Sequence, residues 1–204
     1  MVLNRALLVD LGNVLVRFDH GITLKKLEEA TSVPAEELRP HLYGPLVREF
    51  DLGRLTPTEY FRAVERSAGL PSVPDEVWIP AWRDIFEPDT AALEALGRVR
   101  HGVTRVLVSN TNALHWDGVL RFCDVPDLVD ACVLSFEIGA MKPDRAFFDA
   151  ALARAGVPPR DALFADDQPG YVADARRLGF PAILVSGPGD LARGLARHGL
   201  LEPL

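Results

Sequence analysis

Five short apolar segments constrain the fold of this chain more than any other feature. They occupy residues 6–9, 105–108, 131–134, 162–165 and 182–185, and each has the length of one buried β-strand. From the second segment onward they alternate with helical patterns at 114–123, 145–155, 172–178 and 190–198. Because strand-helix alternation is typical of parallel sheets, we predict an α/β fold with a Rossmann-like parallel sheet and helices on both faces.

The stretch between the first and second apolar segments follows a different pattern. It has no convincing strand, contains Pro34, Pro45, Pro57, Pro74 and Pro88, and resembles several short helices in composition. At 56–59, Thr-Pro-Thr-Glu places a hydroxyl N-cap before a proline and an acidic residue, which is a helix start. We therefore predict a helical insertion at 18–86, within a core made of 1–17 and 87–204.

Polar side chains follow the apolar segments at the points where the predicted strands end. Asp10 follows the first, Ser109 and Asn110 the second, and Asp166 and Asp167 end the fourth. Lys142 lies in a loop after the third. Because ligands of open parallel sheets bind at the carboxyl ends of the strands, we expect these residues to share one crevice.

These residue types together suit attack on a phosphate ester. One carboxylate can attack phosphorus, others can hold a hard divalent cation, and a hydroxyl and an ammonium can neutralise phosphoryl oxygens. Backbone N–H groups around Gly12 resemble anion-binding turns. Each residue taken singly has a plainer interpretation, because aspartates at strand ends are commonly helix N-caps and Lys142 is compatible with a surface position. Their joint occurrence favours the chemical interpretation.

Charge and composition narrow the choice of partners. The formal net charge of −7 argues against a broad nucleic-acid surface, and no apolar run is long enough to span a membrane. The sequence shows no signal-peptide pattern, so we expect a cytoplasmic protein, either a monomer or a homodimer. Cys123 and Cys132 are interpreted as free thiols. The expected partner is a small phosphorylated molecule.

With these motifs the sequence resembles the haloacid dehalogenase-like superfamily along nearly its whole length. The segment 10–15, Asp-Leu-Gly-Asn-Val-Leu, is similar to the first motif of that family, Ser109 to the second, Lys142 to the third, and Asp166-Asp167 to the fourth. The insertion matches the place of a type C1 cap. The first three motifs are most similar to a branch that includes α-D-glucose-1-phosphate phosphatases.

The resemblance implies a role for each residue. Asp10 would be the nucleophile of an aspartyl-phosphate mechanism, with Ser109 and Lys142 as further catalytic residues. The implied sets of residues are Leu11, Gly12, Ser109, Asn110 and Lys142 for phosphate, and Asp10, Gly12, Asp166 and Asp167 for Mg²⁺. The implied activity is a Mg²⁺-dependent phosphatase for a small phosphate monoester, most plausibly a sugar phosphate.

The sequence departs from the family pattern at two places. Most phosphatases of the family carry an aspartate two residues after the nucleophile as general acid and base, and here that residue is Gly12. Asp19, His20 and His41 are candidate replacements. Tyr171 stands where the related branch often has a further polar residue such as Asn. Two alternatives therefore stay open, a 2-haloacid dehalogenase and a catalytically degenerate phosphate-binding protein with this fold.

The insertion also contains residues that are candidates for the substrate pocket. They are Phe18, Tyr43, Arg48, Phe50, Trp78 and Trp82. Aromatic residues of a small helical bundle are more often core than pocket residues, so the sequence favours a structural role for most of them.

Overall fold

The computed structural model describes residues 6–201 and contains a parallel sheet flanked by helices. The predicted core range also includes 1–5 and 202–204, which lie outside the described residues. The strands are β1 (Ala6–Val9), β2 (Val16–Phe18), β3 (Phe86–Pro88), β4 (Thr104–Ser109), β5 (Ala131–Leu134), β6 (Ala162–Asp166) and β7 (Ala182–Leu184).

The helices fall into two groups, one before β3 and one after it. The first group is α1 (His20–Thr31), α2 (Ala35–Leu42), α3 (Pro45–Asp51), α4 (Pro57–Ala68) and α5 (Asp75–Arg83). The second group is α6 (Thr90–Gly97), α7 (Ala113–Leu120), α8 (Val125–Leu128), α9 (Ser135–Ile138), α10 (Arg145–Ala155), α11 (Pro169–Arg177) and α12 (Asp190–Arg197), with a 3₁₀ turn at Pro159–Asp161.

The main sheet has the strand order β5-β4-β1-β6-β7, and all its neighbouring strands are parallel. Side chains of β1 alternate between two hydrophobic clusters: Leu7 and Val9 pack with α6, α7 and α12, whereas Ala6 and Leu8 pack with α10 and α11. This alternation is the two-residue period of a strand buried on both faces. The α/β Rossmann-like prediction is confirmed.

The helices α1–α5 have a hydrophobic cluster of their own, which we call the insertion cluster. Phe50, Tyr60, Trp78 and Trp82 are its largest buried members, each at most 1% exposed. The predicted helix start at Thr56 is confirmed, because Thr56 and Glu59 form a capping box. The predicted absence of strands is wrong in detail, since β2 and β3 form a short antiparallel pair where the chain leaves and rejoins the core.

The insertion touches the core at a close backbone contact. Gly53, just after α3, has a φ of 69°, and a Cβ at this position would lie 2.1 Å from the carbonyl oxygen of Phe136 in α9. Only glycine permits this approach without displacing backbone. The contact fixes the end of α3 against the core.

No helix within residues 6–201 combines the length and the hydropathy needed to cross a membrane. Cys123 and Cys132 are free thiols, as predicted, and the first of them is buried.

Replacing Gly53 with alanine tests the backbone contact. We expect Gly53→Ala to lower the free energy of unfolding by about 3 kcal/mol, because it adds a clash to the strain of a positive φ. Gly69→Ala is the matched control, since Gly69 has a φ of 63° and open space around its Cβ position. That variant should lose about 1 kcal/mol. Equal losses in urea denaturation would show that the contact with Phe136 does not constrain the fold.

Candidate active site

A buried ammonium lies between two carboxylates at the carboxyl end of the sheet. The Nζ of Lys142 donates to Oδ1 of Asp10 at 2.7 Å and to Oδ2 of Asp166 at 2.6 Å. It also donates to the carbonyl oxygen of Val108 at 3.2 Å. Asp10 follows β1 and Asp166 ends β6, which is the strand beside it. The parallel sheet therefore brings together residues that are far apart in sequence.

Burial determines the electrostatics of this group. The Lys142 side chain is 2% exposed, and that of Asp166 is fully buried. Burial raises the pKa of Asp10, and the ammonium of Lys142 opposes that rise. Burial alone would lower the pKa of Lys142, but the charges of Asp10 and Asp166 outweigh it and the net direction is upward. The lysine is therefore a protonated counter-ion for both carboxylates.

Asn110 holds the backbone of Lys142 in place. Its Oδ1 accepts from the backbone N–H of Lys142 at 2.8 Å, and its Nδ2 donates to the carbonyl oxygen of the same residue at 3.0 Å. The Nδ2 group also lies 3.3 Å from the hydroxyl oxygen of Tyr171. The side chain of Asn110 is thus occupied by the loop of Lys142, so any contact of Asn110 with phosphate falls to its backbone.

Three carboxylates form a cluster with the composition of a magnesium site. Ligand oxygens of Asp10, Asp166 and Asp167 all lie within 4.8 Å of one another. Octahedral Mg²⁺ takes oxygens at about 2.0–2.1 Å, so opposite ligands lie about 4 Å apart and a small adjustment suffices. Gln168 orients two of them, its backbone N–H donating to Asp166 and its side chain to Asp167. The residues present fit a hard divalent cation.

The turn after Asp10 shapes the entrance to this cluster. Asn13 adopts a left-handed conformation with a φ of 55°, and its side chain donates to Asp167 at 3.2 Å. The side chain of Leu11 is buried in the core. At Gly12 a Cβ would lie 2.9 Å from Cε1 of Phe18. The ring of Phe18 therefore occupies the space into which a side chain at position 12 would extend.

A pocket with a volume of about 240 Å³ opens above the carboxylates and brings most of the predicted residues together. From the predicted set it is lined by Asp10, Leu11, Gly12, Ser109, Asn110, Lys142 and Asp167. Asp166 lies directly behind it, hydrogen-bonded to Lys142.

Of the three candidate replacements for the acid that is missing at Gly12, one lines the pocket and two do not. Asp19 is the exposed N-cap of α1, where it accepts from the backbone N–H of Gly21, and His41 pairs with Ser67 at 2.7 Å. Neither lines the pocket, so both suggestions are wrong. His20 does line it. Burial, followed by the charge of Arg39, lowers the pKa of His20, which keeps the ring neutral.

Of the six insertion residues suggested for the pocket, two line it and four do not. Phe18 and Tyr43 line it, whereas Phe50, Trp78 and Trp82 belong to the insertion cluster. Arg48 lies outside the pocket lining and faces Asp144 at 3.7 Å.

Asp51, at the end of α3, is a pocket residue that the sequence analysis missed. Its Oδ1 accepts from Nδ2 of Asn112 at 2.9 Å. Burial raises the pKa of Asp51 to about 6, and the hydrogen bond from Asn112 only partly opposes that rise. Nothing in the local sequence separates Asp51 from an ordinary acidic residue at a helix end, because its position depends on how the insertion packs on the core.

Removing the ammonium should destabilise the fold. We expect Lys142→Met to lower the free energy of unfolding in EDTA by about 3 kcal/mol, because it leaves two buried carboxylates without a counter-ion. The loss should shrink when Mg²⁺ is added, since a cation can replace the charge. Arg145→Met is the control, because its ion pair with Asp149 is exposed and contributes little. A loss below about 1 kcal/mol for Lys142→Met would contradict the assigned role.

Neutralising Asp51 should have the opposite effect on stability. Its pKa is about 6 in the folded chain and has an ordinary value of 3.8, so the folded state binds more protons within this window. The contribution of Asp51 to the free energy of unfolding therefore falls as pH rises from about 4 to about 7. We expect Asp51→Asn to raise the free energy of unfolding by about 2 kcal/mol at pH 7.5 and by little at pH 4.

The control for this measurement is Glu49→Gln. Glu49 lies on the same helix, pairs with Arg54 at 3.1 Å and is partly exposed. Its neutralisation should change stability by no more than about 0.5 kcal/mol at either pH. If Asp51→Asn lowers the free energy of unfolding at pH 7.5, the buried Asp51 carboxylate does not destabilise the fold and this prediction is wrong.

Comparison with known proteins agrees with this geometry. The first curated relative, the drimenol cyclase DrtB of Aspergillus calidoustus, is 28% identical over 195 residues, which are 94% of this chain and 36% of that protein. The chain thus spans about a third of that relative. D-ribitol-5-phosphate phosphatase of Bacteroides thetaiotaomicron is 25% identical over 179 residues, which are 84% of this chain and 86% of that protein.

A solved structure extends the similarity to the fold. The HAD family enzyme of Bacteroides thetaiotaomicron in complex with magnesium and inorganic phosphate has a TM-score of 0.77 and 26% identity, covering 88% of this chain and 93% of that chain. The family model described as haloacid dehalogenase-like hydrolase matches residues 5–179. The parallel sheet, the carboxylates and the buried lysine agree with this match, and the chain belongs to the haloacid dehalogenase-like hydrolase family.

Proposed function

We propose that this hydrolase is a Mg²⁺-dependent phosphatase that cleaves a small phosphate monoester through an aspartyl-phosphate on Asp10. The observation that carries the proposal is the buried group of Asp10, Asp166 and Lys142, with Asp167 completing a three-carboxylate cluster. Burying these charges lowers the stability of the fold, and a purely structural role would not offset that cost. The magnesium and phosphate bound by the similar Bacteroides enzyme support the same assignment.

The proposed roles follow the positions of the side chains. Asp10 attacks phosphorus, so that a bond forms from its carboxylate oxygen to phosphorus while the bond to the leaving oxygen breaks. Water then attacks phosphorus, releasing inorganic phosphate and the free carboxylate. Ser109 lines the pocket at the end of β4, where its hydroxyl can donate to a phosphoryl oxygen. Lys142 neutralises negative charge throughout.

Bound Mg²⁺ reduces the repulsion between the anionic carboxylate and the anionic ester. We propose that Asp10, Asp166 and Asp167 hold it, together with the carbonyl oxygen of Gly12. The backbone N–H groups of Leu11, Gly12 and Asn110 are proposed to face the phosphoryl oxygens. Residues 18–86 are proposed to act as the cap that closes over this site and excludes water.

The substrate proposal is a phosphorylated sugar or polyol. The D-ribitol-5-phosphate phosphatase relative supports it, and so does the small pocket. The narrower similarity to α-D-glucose-1-phosphate phosphatases stays a prediction.

One observation argues against the first of two other candidate functions, and another favours the second. A 2-haloacid dehalogenase would use the same nucleophile, but it has no use for the three-carboxylate cluster. A catalytically degenerate phosphate-binding protein is favoured by Gly12, where Phe18 fills the space of the usual acid. General acid-base help is typically worth about 10²–10⁴ in rate, so its loss slows turnover without removing the nucleophile.

The test is Asp10→Asn with and without metal. We expect wild type to release phosphate from a panel of sugar and polyol phosphates in Mg²⁺, and EDTA or Asp10→Asn to reduce the rate at least 10³-fold. Mg²⁺ should also raise the melting temperature of wild type, a gain that Asp166→Asn should remove. Halide release that survives EDTA would favour the dehalogenase. Equal slow phosphate release by wild type and Asp10→Asn would favour the degenerate protein.

A further inference from the structure

The pocket has two parts with different charge balance. In the part beside the sheet, Lys142 compensates Asp10 and Asp166. In the far part, formed by α1, α3 and α7, Asp51 contributes a carboxylate. Among the described residues that line the pocket, Lys142 is the single lysine or arginine, and its ammonium is already engaged. The far part therefore carries a negative charge without a cation.

Asp51 is held firmly by the core. Its donor Asn112 is fully buried, and Oδ1 of Asn112 accepts from Nε1 of Trp82 at 3.3 Å and from the backbone N–H of His115 at 3.0 Å. Within residues 6–201, Asn112 is the hydrogen-bond donor found for the Asp51 side chain. A carboxylate has about four lone-pair sites, so acceptor capacity remains for a ligand in the pocket.

The wall beside Asp51 is made of flat neutral rings. His115 stacks on Trp82 with ring centroids 4.9 Å apart, and His20 packs on Tyr43 at 4.2 Å. Burial lowers the pKa of His115 to about 3, so this imidazole is neutral at physiological pH. Nδ1 of His20 is buried without a hydrogen-bond partner in the described chain. The wall therefore offers a flat, uncharged surface to a ligand beside the Asp51 carboxylate.

We propose that Asp51 is a specificity-determining residue, which accepts a hydrogen bond from a hydroxyl of the leaving group and rejects leaving groups that carry a negative charge. The proposal rests on the proposed phosphatase function and deepens it, because it defines the substrate class as phosphate monoesters of neutral polyhydroxy compounds. The rings of His115 and Tyr43 pack against the carbon skeleton of that group.

Charge supplies the discrimination. At pH 7.5 the Asp51 carboxyl is mostly ionised, since its pKa is about 6. A hydroxyl donor satisfies this carboxylate, whereas a substrate carboxylate placed opposite it is repelled. Tyr60 on α4 and Asn112, the N-cap of α7, lie beside Asp51. His115 on α7 and Tyr43 after α2 line the same part of the pocket, and none of these four residues is cationic at this pH.

The experiment compares pairs of substrates that differ only in charge at the end away from the phosphate. Glycerol 3-phosphate is paired with 3-phosphoglycerate, and the open-chain glucitol 6-phosphate with 6-phosphogluconate, so that a terminal CH2OH replaces a carboxylate in each pair, with p-nitrophenyl phosphate as a reference that has no hydroxyl. All are measured with Mg²⁺ at pH 7.5 for wild type, Asp51→Asn and Glu49→Gln. We expect wild type to prefer the neutral member of each pair in kcat/KM, and Asp51→Asn to reduce that preference at least tenfold.

The control variant and the reference substrate make the outcomes distinct. Glu49→Gln removes the same charge from the same helix outside the pocket lining, and it should keep the wild-type preference. An unchanged preference in Asp51→Asn, with phosphate still released, would overturn the specificity proposal and leave the phosphatase intact. An equal loss of kcat for both members of a pair, with KM and the preference unchanged and p-nitrophenyl phosphate unaffected, would overturn the charge discrimination and identify Asp51 as a proton donor instead. No phosphate release from any ester by wild type would overturn both proposals.

Discussion

The buried ammonium of Lys142 is the interaction on which the rest of the site depends. Two carboxylates from adjacent parallel strands meet at the same end of the sheet, where burial raises the pKa of Asp10. Without a fixed counter-ion, one of them would take up a proton and lose the charge that its proposed role as nucleophile or metal ligand requires. Asn110 fixes the backbone that carries the lysine, so the counter-ion is positioned from the core and is independent of the insertion.

Much of this arrangement could be predicted from sequence because its signals are local. Each strand of the main sheet is a short apolar run, and the polar residue at its end is next to it in the chain. The topology of a parallel sheet then places Asp10, Ser109 and Asp166 together at the carboxyl ends of the strands. The strands β2 and β3 were missed because they are three residues long, and one contains a proline. Their pairing depends on where the chain leaves and rejoins the core, which no local pattern records.

The far part of the pocket could not be predicted for the same reason. Proximity in sequence to the nucleophile suggested Asp19, but the helix that follows uses Asp19 as its N-cap. Asp51 reaches the pocket from forty-one positions away, because the turn at Gly53 packs directly on Phe136 and Asn112 donates to its carboxylate. Both contacts are tertiary. Helix propensity and hydrophobic period contain no information about either of them.

The two parts of the pocket therefore differ in how the negative charge of their carboxylates is compensated. Beside the sheet, every carboxylate has a lysine, an amide or a backbone donor, and the cation proposed to bind there would add the positive charge that a dianionic phosphoryl group requires. Beside α3, a single amide supports Asp51, and its ionisation lowers the stability of the fold. A charge that opposes folding and faces a pocket is typical of a residue retained for binding rather than for structure. Because Phe18 fills the space at Gly12 where most phosphatases of the family have their acid, the contribution that we propose for the insertion is recognition of the leaving group.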